Sequence, residues 1–174
     1  LQRFAPYLPW IALAAVHAAW FFIFLAPMMK IDPNVGYDAR GHVEYILFLL
    51  ERGRLPLATD GWALYHPPLF YLASAVAVKT FGGAYIPDAL KMAKYIPFLS
   101  GLGQVWLAFA LSRLIFRKDA LKVFFSVLAA GLMPMNIYMS GYISNESAHG
   151  FLAGACLVAG ARVLAEKSSP MRDM

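Results

Sequence analysis

The run Leu8-Pro9-Trp10-Ile11-Ala12-Leu13-Ala14-Ala15-Val16-His17-Ala18-Ala19-Trp20-Phe21-Phe22-Ile23-Phe24-Leu25-Ala26-Pro27-Met28 carries no charge over 21 residues. A helix rises about 1.5 Å per residue, so about 20 apolar residues cross the roughly 30 Å hydrocarbon layer of a bilayer. The run meets that length and exceeds the apolar region of a signal peptide, about 7–15 residues. The following Met29-Lys30-Ile31-Asp32 is no cleavage site. We read it as a retained membrane span, in a chain that opens at Leu1 as a processed or partial chain does.

The rest of the 174 residues agrees. Hydrophobic residues make up 60% and charged residues 14%, against about 25% charged in a soluble domain. Mean hydropathy is +0.58. This composition excludes a disordered chain, a coiled coil and an ordinary water-soluble globule. The single cysteine, Cys156, excludes an intramolecular disulfide and a cysteine-built metal site. Aromatic residues lie inside the apolar segments and the basic residues at their ends, so the net charge of +5 forms no basic, aromatic-interleaved stripe for nucleic acid.

Three more segments have spanning length: Tyr95–Phe116, Val123–Tyr142 and the shorter His149–Ala165. Pro67–Val78 is too short to cross and opens on a double proline; it reads as an interfacial or partly inserted helix. Four spans place residues 1–7, 113–122 and 162–174 on one side, with eight of the fifteen basic residues in short segments. The positive-inside rule makes that side cytoplasmic. The expected fold is therefore all-α, a single membrane domain of about four spans with both termini cytoplasmic. Residues 29–94 form a long extracytoplasmic first loop with amphipathic juxtamembrane helices. An inner or plasma membrane is the expected location.

That loop is not a polar linker. Val43, Ile46, Leu47 and Leu50 recur at helical spacing, with Asp38, His42 and Tyr45 on another face and Glu44 and Glu51 on a third. The pattern predicts an amphipathic helix on the membrane surface, capped at its start by the Asp38 carboxylate and stopped at Gly53. Downstream comes His66-Pro67-Pro68-Leu69. A second outer loop brings Asn145, Glu146 and His149 to the same face. Each residue also has a plain structural role: Asp38 as a helix cap, His42 and His66 as interfacial side chains, Glu44 and Glu51 as a solvated face. His17 reads as a packing or hydrogen-bonding residue. Together, ionisable groups at membrane depth mark function by default.

The order of these motifs resembles the GT-C membrane glycosyltransferases, which take a sugar from a polyprenyl-phosphate carrier. A first span is followed by Asp38-x5-Glu44, then Gly53-Arg54-Leu55-Pro56, Trp62 and Tyr65-His66-Pro67-Pro68-Leu69. His-Pro-Pro-Leu is similar to the first-loop motif of protein O-mannosyltransferases, and aminoarabinose transferases carry an acid at the corresponding point. Leu111-Ser112-Arg113-Leu114 through Lys118-Asp119-Ala120-Leu121, a span, then Ser140-Gly141-Tyr142 extend the likeness over most of the chain. Ala39, Asn145 and Glu146 stand where family members often have aspartate or a second acid, and family members carry further spans. The chain thus looks like the N-terminal portion of such an enzyme.

The resemblance implies glycosyl transfer with inversion, Asp38 being the base, and His42, Glu44, His66, Asn145 and Glu146 binding substrate. Arg40, Lys79, Lys91 or Lys94 would face the leaving phosphate, and Pro67–Val78 would support the prenyl chain. The bilayer and the polyprenyl-phosphate sugar are the implied partners. No metal-ligand set is spelled out, so a divalent cation stays open as cofactor. A second reading, a non-catalytic membrane subunit of the same fold, would meet membrane-protein partners through Gly150-x-x-x-Gly154. The sidedness is testable by cysteine labelling in a Cys156→Ala background. Asp60→Cys should react with a membrane-impermeant maleimide in intact cells, and Lys122→Cys only after permeabilisation.

Overall fold

The computed structural model describes residues 2–117 and 119–168, with nothing said of the side chains of residues 2, 3, 167 and 168. Lys118 and Arg172, counted above among the basic residues of the cytoplasmic segments, lie outside the described residues. Among the described residues all regular secondary structure is helical, without a strand. The elements are α1 (Leu8–Leu25), α2 (Ala39–Arg52), α3 (Leu69–Phe81), α4 (Ile86–Leu90), α5 (Tyr95–Phe116), α6 (Ala120–Gly131), α7 (Pro134–Gly141) and α8 (Glu146–Ser168). Single 3₁₀ turns flank α1 and join α4 to α5.

Three helices are long and apolar enough to cross a membrane, or four if the bent pair α6–α7 is one span. They fit an integral membrane protein of three to four spans. The ring of Phe24 stacks on Phe98 at 4.0 Å and that of Trp10 lies 4.7 Å from Phe109, so α1 and α5 run antiparallel. Gly103 abuts Phe151, and Leu107 abuts Gly154, so α8 runs parallel to α5. The start of α1 and the ends of α5 and α8 therefore share one end of the bundle. The opposite end carries α2, α3 and α4.

The span expected over Val123–Tyr142 is not one straight helix. It breaks between α6 and α7 with a bend of 48°. Pro134 has no N–H for the Ala130 carbonyl, and its ring clashes with the preceding turn. The freed acceptors find side chains. Trp20 Nε1 donates to the Gly131 carbonyl at 2.7 Å, and Asn136 Nδ2 reaches that of Ala130 at 3.5 Å. Such substitutions are what lets a broken helix persist in hydrocarbon. The last span begins three residues earlier than expected, at Glu146.

Two expectations about the first loop need correction. Asp38 does not cap α2 through its carboxylate: its side chain makes no capping bond, and its backbone is left-handed at φ 57°. Its carbonyl instead accepts from the N–H groups of Gly41 and His42. The apolar stripe of α2 does not face the bilayer either. Val43 and Ile46 pack with Phe70, Tyr71, Ala75 and Val78 of α3 and with Ile143 in a buried core. The helix stop at Gly53 is found, at φ 62° with its N–H on the Leu49 carbonyl.

Gly150 and Gly154 are also accounted for within the chain. A Cβ at Gly150 would meet Gln104 at 3.0 Å and one at Gly154 would meet Leu107 at 3.1 Å, so these glycines let α8 approach α5 closely. Trp20→Phe, which leaves the Gly131 carbonyl without its donor, should cost about 1 kcal/mol. Reversible unfolding in detergent measures it.

Candidate functional site

The site residues gather at the end of the bundle where α5 begins. Pro67 and Pro68 lead into α3, whose first turn closes through Leu72 N–H on the Pro68 carbonyl at 2.9 Å. This turn sets Tyr71, fully buried, against α2. Tyr45 stacks on Tyr71 with ring centroids 3.8 Å apart and 11° between planes. His42, one turn earlier on α2 and 5% exposed, places Nδ1 2.8 Å from the Tyr71 hydroxyl. The ring of His66 stands 5.7 Å from that of His42, backed by Tyr65 at 4.4 Å. The Tyr45 hydroxyl donates to the His66 carbonyl at 3.4 Å.

Burial decides the charge states here. It pushes the pKa of His42 down from 6.5 to about 4, helped by the charge of His66 and, more weakly, of His149; the carboxylate of Asp38 opposes the shift. The Tyr71 hydroxyl is raised, first by burial and then by Tyr45, Tyr65 and Glu146. At neutral pH both groups are uncharged, and the hydrogen bond between them carries one proton.

Asp38 stands exposed beside this aromatic cluster. Two contacts pin the backbone before it. The Tyr37 N–H donates to the Tyr138 hydroxyl at 3.3 Å, and Gly36, at φ 141°, lies so close to Tyr142 that a side chain there would collide with the ring. The segment Tyr142 to Asn145 is wholly buried between the α2–α3 pair and the long helices. Asn145 is thereby 2% exposed, its carbonyl accepting the His149 N–H, while the exposed Glu146 opens α8.

Asp38, His42, His66 and Glu146 thus share one neighbourhood, with Asn145 beneath it. Glu44 does not join them: it faces outward and pairs with Arg40 at 3.3 Å across one turn. Among the proposed phosphate-facing cations, Lys94 is occupied. It is fully buried, with Nζ donating to the carbonyls of Met28 and Ile31 at 2.8 Å each. Lys91 pairs with Asp88 at 2.7 Å, and Lys79 is exposed. Among the described residues no three His, Cys, Asp or Glu side chains come together to hold a metal ion, so no step is derived through one.

Beside the cluster runs an open groove of about 490 Å³ between α5, α7 and α8. Met133, Met135 and Met139 line it, with Gln104, Asn136 and Glu146 as polar groups. Gln104 Nε2 is held by the Ser147 carbonyl at 2.8 Å, and the hydroxyls of Ser140 and Ser147 are 3.0 Å apart. Glu146 therefore belongs to both the groove and the cluster. Sequence reasoning missed Tyr71, Gln104, Asn136 and the Ser140–Ser147 pair. Tyr71 had a signal, since Tyr71, Ser74, Ala75 and Val78 share one α3 face.

Compared with protein-family models, curated proteins and solved structures, the chain has no significant match.

The His42 environment predicts acid sensitivity. Between pH 6.5 and about 4 the unfolded chain binds a proton that folded His42 refuses, so stability falls as pH falls through this window. The full shift corresponds to about 3 kcal/mol. Thermal unfolding in detergent should show the melting temperature dropping from pH 7 to pH 4.5, with a shallower drop in His42→Asn.

Proposed function

We propose that this chain performs, or belongs to an enzyme that performs, glycosyl transfer from a polyprenyl-phosphate sugar to an acceptor hydroxyl on the extracytoplasmic face of a membrane. One observation carries the reading. An exposed carboxylate, Asp38, lies beside the neutral His42–Tyr71 pair and His66, and Glu146, over a hundred residues away in sequence, joins the same neighbourhood beside a methionine-lined groove.

The chemistry follows from the residue types. The acceptor oxygen forms a bond to the anomeric carbon while the bond from that carbon to the phosphate oxygen breaks, with inversion. The electron pair leaves on the polyprenyl phosphate, and the acceptor proton passes to Asp38. A positioned carboxylate contributes about 10²–10⁴-fold as general base. His66 and Glu146 hold the sugar or acceptor by hydrogen bonds, and Lys79, exposed and in no ion pair among the described residues, is the cation open to the phosphate. The groove suits a prenyl chain: flexible thioether side chains conform to an irregular apolar ligand. The orientation rests on charge. Arg113, Arg117 and Lys122 crowd the opposite end of the bundle, which the positive-inside rule assigns to the cytoplasm.

The second reading, a non-catalytic subunit, draws on α8: only 6% of its spanning window is buried, leaving the helix open to other spans. Asp38→Asn separates the two. Transfer, read as polyprenyl phosphate released from a panel of polyprenyl-phosphate hexoses and pentoses, should fall by at least about 100-fold. Membrane insertion and melting temperature should stay unchanged. An active Asp38→Asn protein overturns the base assignment.

A further inference from the structure

At the end of the bundle away from Asp38, a cavity of about 330 Å³ opens between the start of α1, the end of α5 and the start of α6. Pro6, Pro9 and Ala120 wall it, and Arg113 and Arg117 line it. We propose that it is a binding site for the phosphodiester headgroup of an anionic phospholipid.

The charges favour an anion. Arg113 and Arg117 are both exposed, and among the described residues neither has a carboxylate within ion-pair distance. Asp119, the acid adjoining the cavity, is committed elsewhere. One oxygen is 2.9 Å from Lys122 Nζ and the other accepts the Lys122 N–H at 3.1 Å. Two guanidinium groups facing one space without a counter-charge repel each other, and a planar fork of N–H donors matches a phosphate oxygen pair.

The arginines are also positioned. The guanidinium of Arg113 lies 5.9 Å from the ring of Trp10 and 5.7 Å from that of Phe109, a cation–π arrangement that holds it at the cavity wall. Arg117 sits in the tight α5–α6 turn, its N–H on the Arg113 carbonyl at 3.0 Å and its backbone at φ 50°. Arg113 stands in the last turn of α5 and Arg117 directly follows that helix, four residues on, so the two cations stay close together.

The surroundings favour a lipid as the source of the phosphate. Phe4, Tyr7, Trp10, Ile115 and Leu121 are all at least 46% exposed around this end of the bundle. Aromatic side chains at this level of a spanning helix mark the headgroup zone. An anion bound between the two arginines would have apolar side chains beside it for acyl chains to cover. A soluble anion would leave that surface bare.

The full chain, purified and delipidated in detergent, is titrated with dioleoylphosphatidylglycerol or dioleoylphosphatidylcholine and followed by native mass spectrometry. One phosphatidylglycerol per chain should be retained at about tenfold lower concentration than phosphatidylcholine. Equal retention of the two lipids overturns the proposal, and this comparison needs no variant. In Arg113→Gln/Arg117→Gln the preference should vanish, while Arg54→Gln, which touches a distant ion pair, should keep it. A preference undiminished in the double variant assigns the lipid to another surface. Displacement of phosphatidylglycerol by excess inorganic phosphate reassigns the cavity to a free anion.

Discussion

A buried ammonium group organises the molecule. Lys94 has no exposed surface and, among the described residues, no carboxylate within ion-pair distance, yet two carbonyls, those of Met28 and Ile31, accept from Nζ at 2.8 Å each. Those carbonyls belong to the 3₁₀ turn Met28–Lys30 and the residue after it, just beyond the end of α1. The cation loses water and gains two carbonyl dipoles in its place. The bond also staples the end of α1 to the start of α5 across 66 residues of sequence. Everything between, including α2 and α3, is folded within a loop whose ends are fixed.

The same demand for satisfied backbone groups shapes the opposite wall. Pro134 breaks the third membrane segment, and Trp20 and Asn136 supply the donors that the break removes. The bend sends α7 toward α1 and α2, so that Tyr138 and Tyr142 meet the backbone just before Asp38. It also turns the chain into the buried segment 142–145, from which α8 starts with Glu146 exposed. A straight helix would carry Glu146 further along its own axis. The broken helix leaves it close enough to Tyr71 of α3 to influence that hydroxyl electrostatically.

Charge is sorted by this architecture. The end carrying α2 and α3 holds the exposed carboxylates of Asp38 and Glu146 and a histidine kept neutral by burial. The other end holds Arg113 and Arg117 without acidic partners among the described residues. Between them, the long helices bury aromatic rings and small residues with no ion pair. The proposed proton acceptor and the proposed anion site lie at opposite ends, with an apolar middle between them.

Hydrophobic run lengths alone determined the helical membrane class, the positions of α1 and α5, and the stop of α2 at Gly53. These properties depend on neighbours along the chain: the length of an uncharged run against the thickness of hydrocarbon, and the ease with which glycine takes positive φ. The residues Asp38, His42, His66, Asn145 and Glu146 stand out in the sequence, because polar and ionisable groups are conspicuous against an apolar background. Their surroundings do not. The α2 stripe of Val43 and Ile46 looks the same in sequence whether it meets lipid or the rings of α3, since both are apolar. Glu44 and His42 sit two residues apart on one helix, and only packing against Tyr71 decides that one is buried and neutral while the other pairs with Arg40 in solvent. Lys94 reads as a surface cation until the carbonyls of Met28 and Ile31 are brought beside it. Tertiary structure decided each of these cases, because burial, partner and charge state depend on which distant groups fill the space around a side chain.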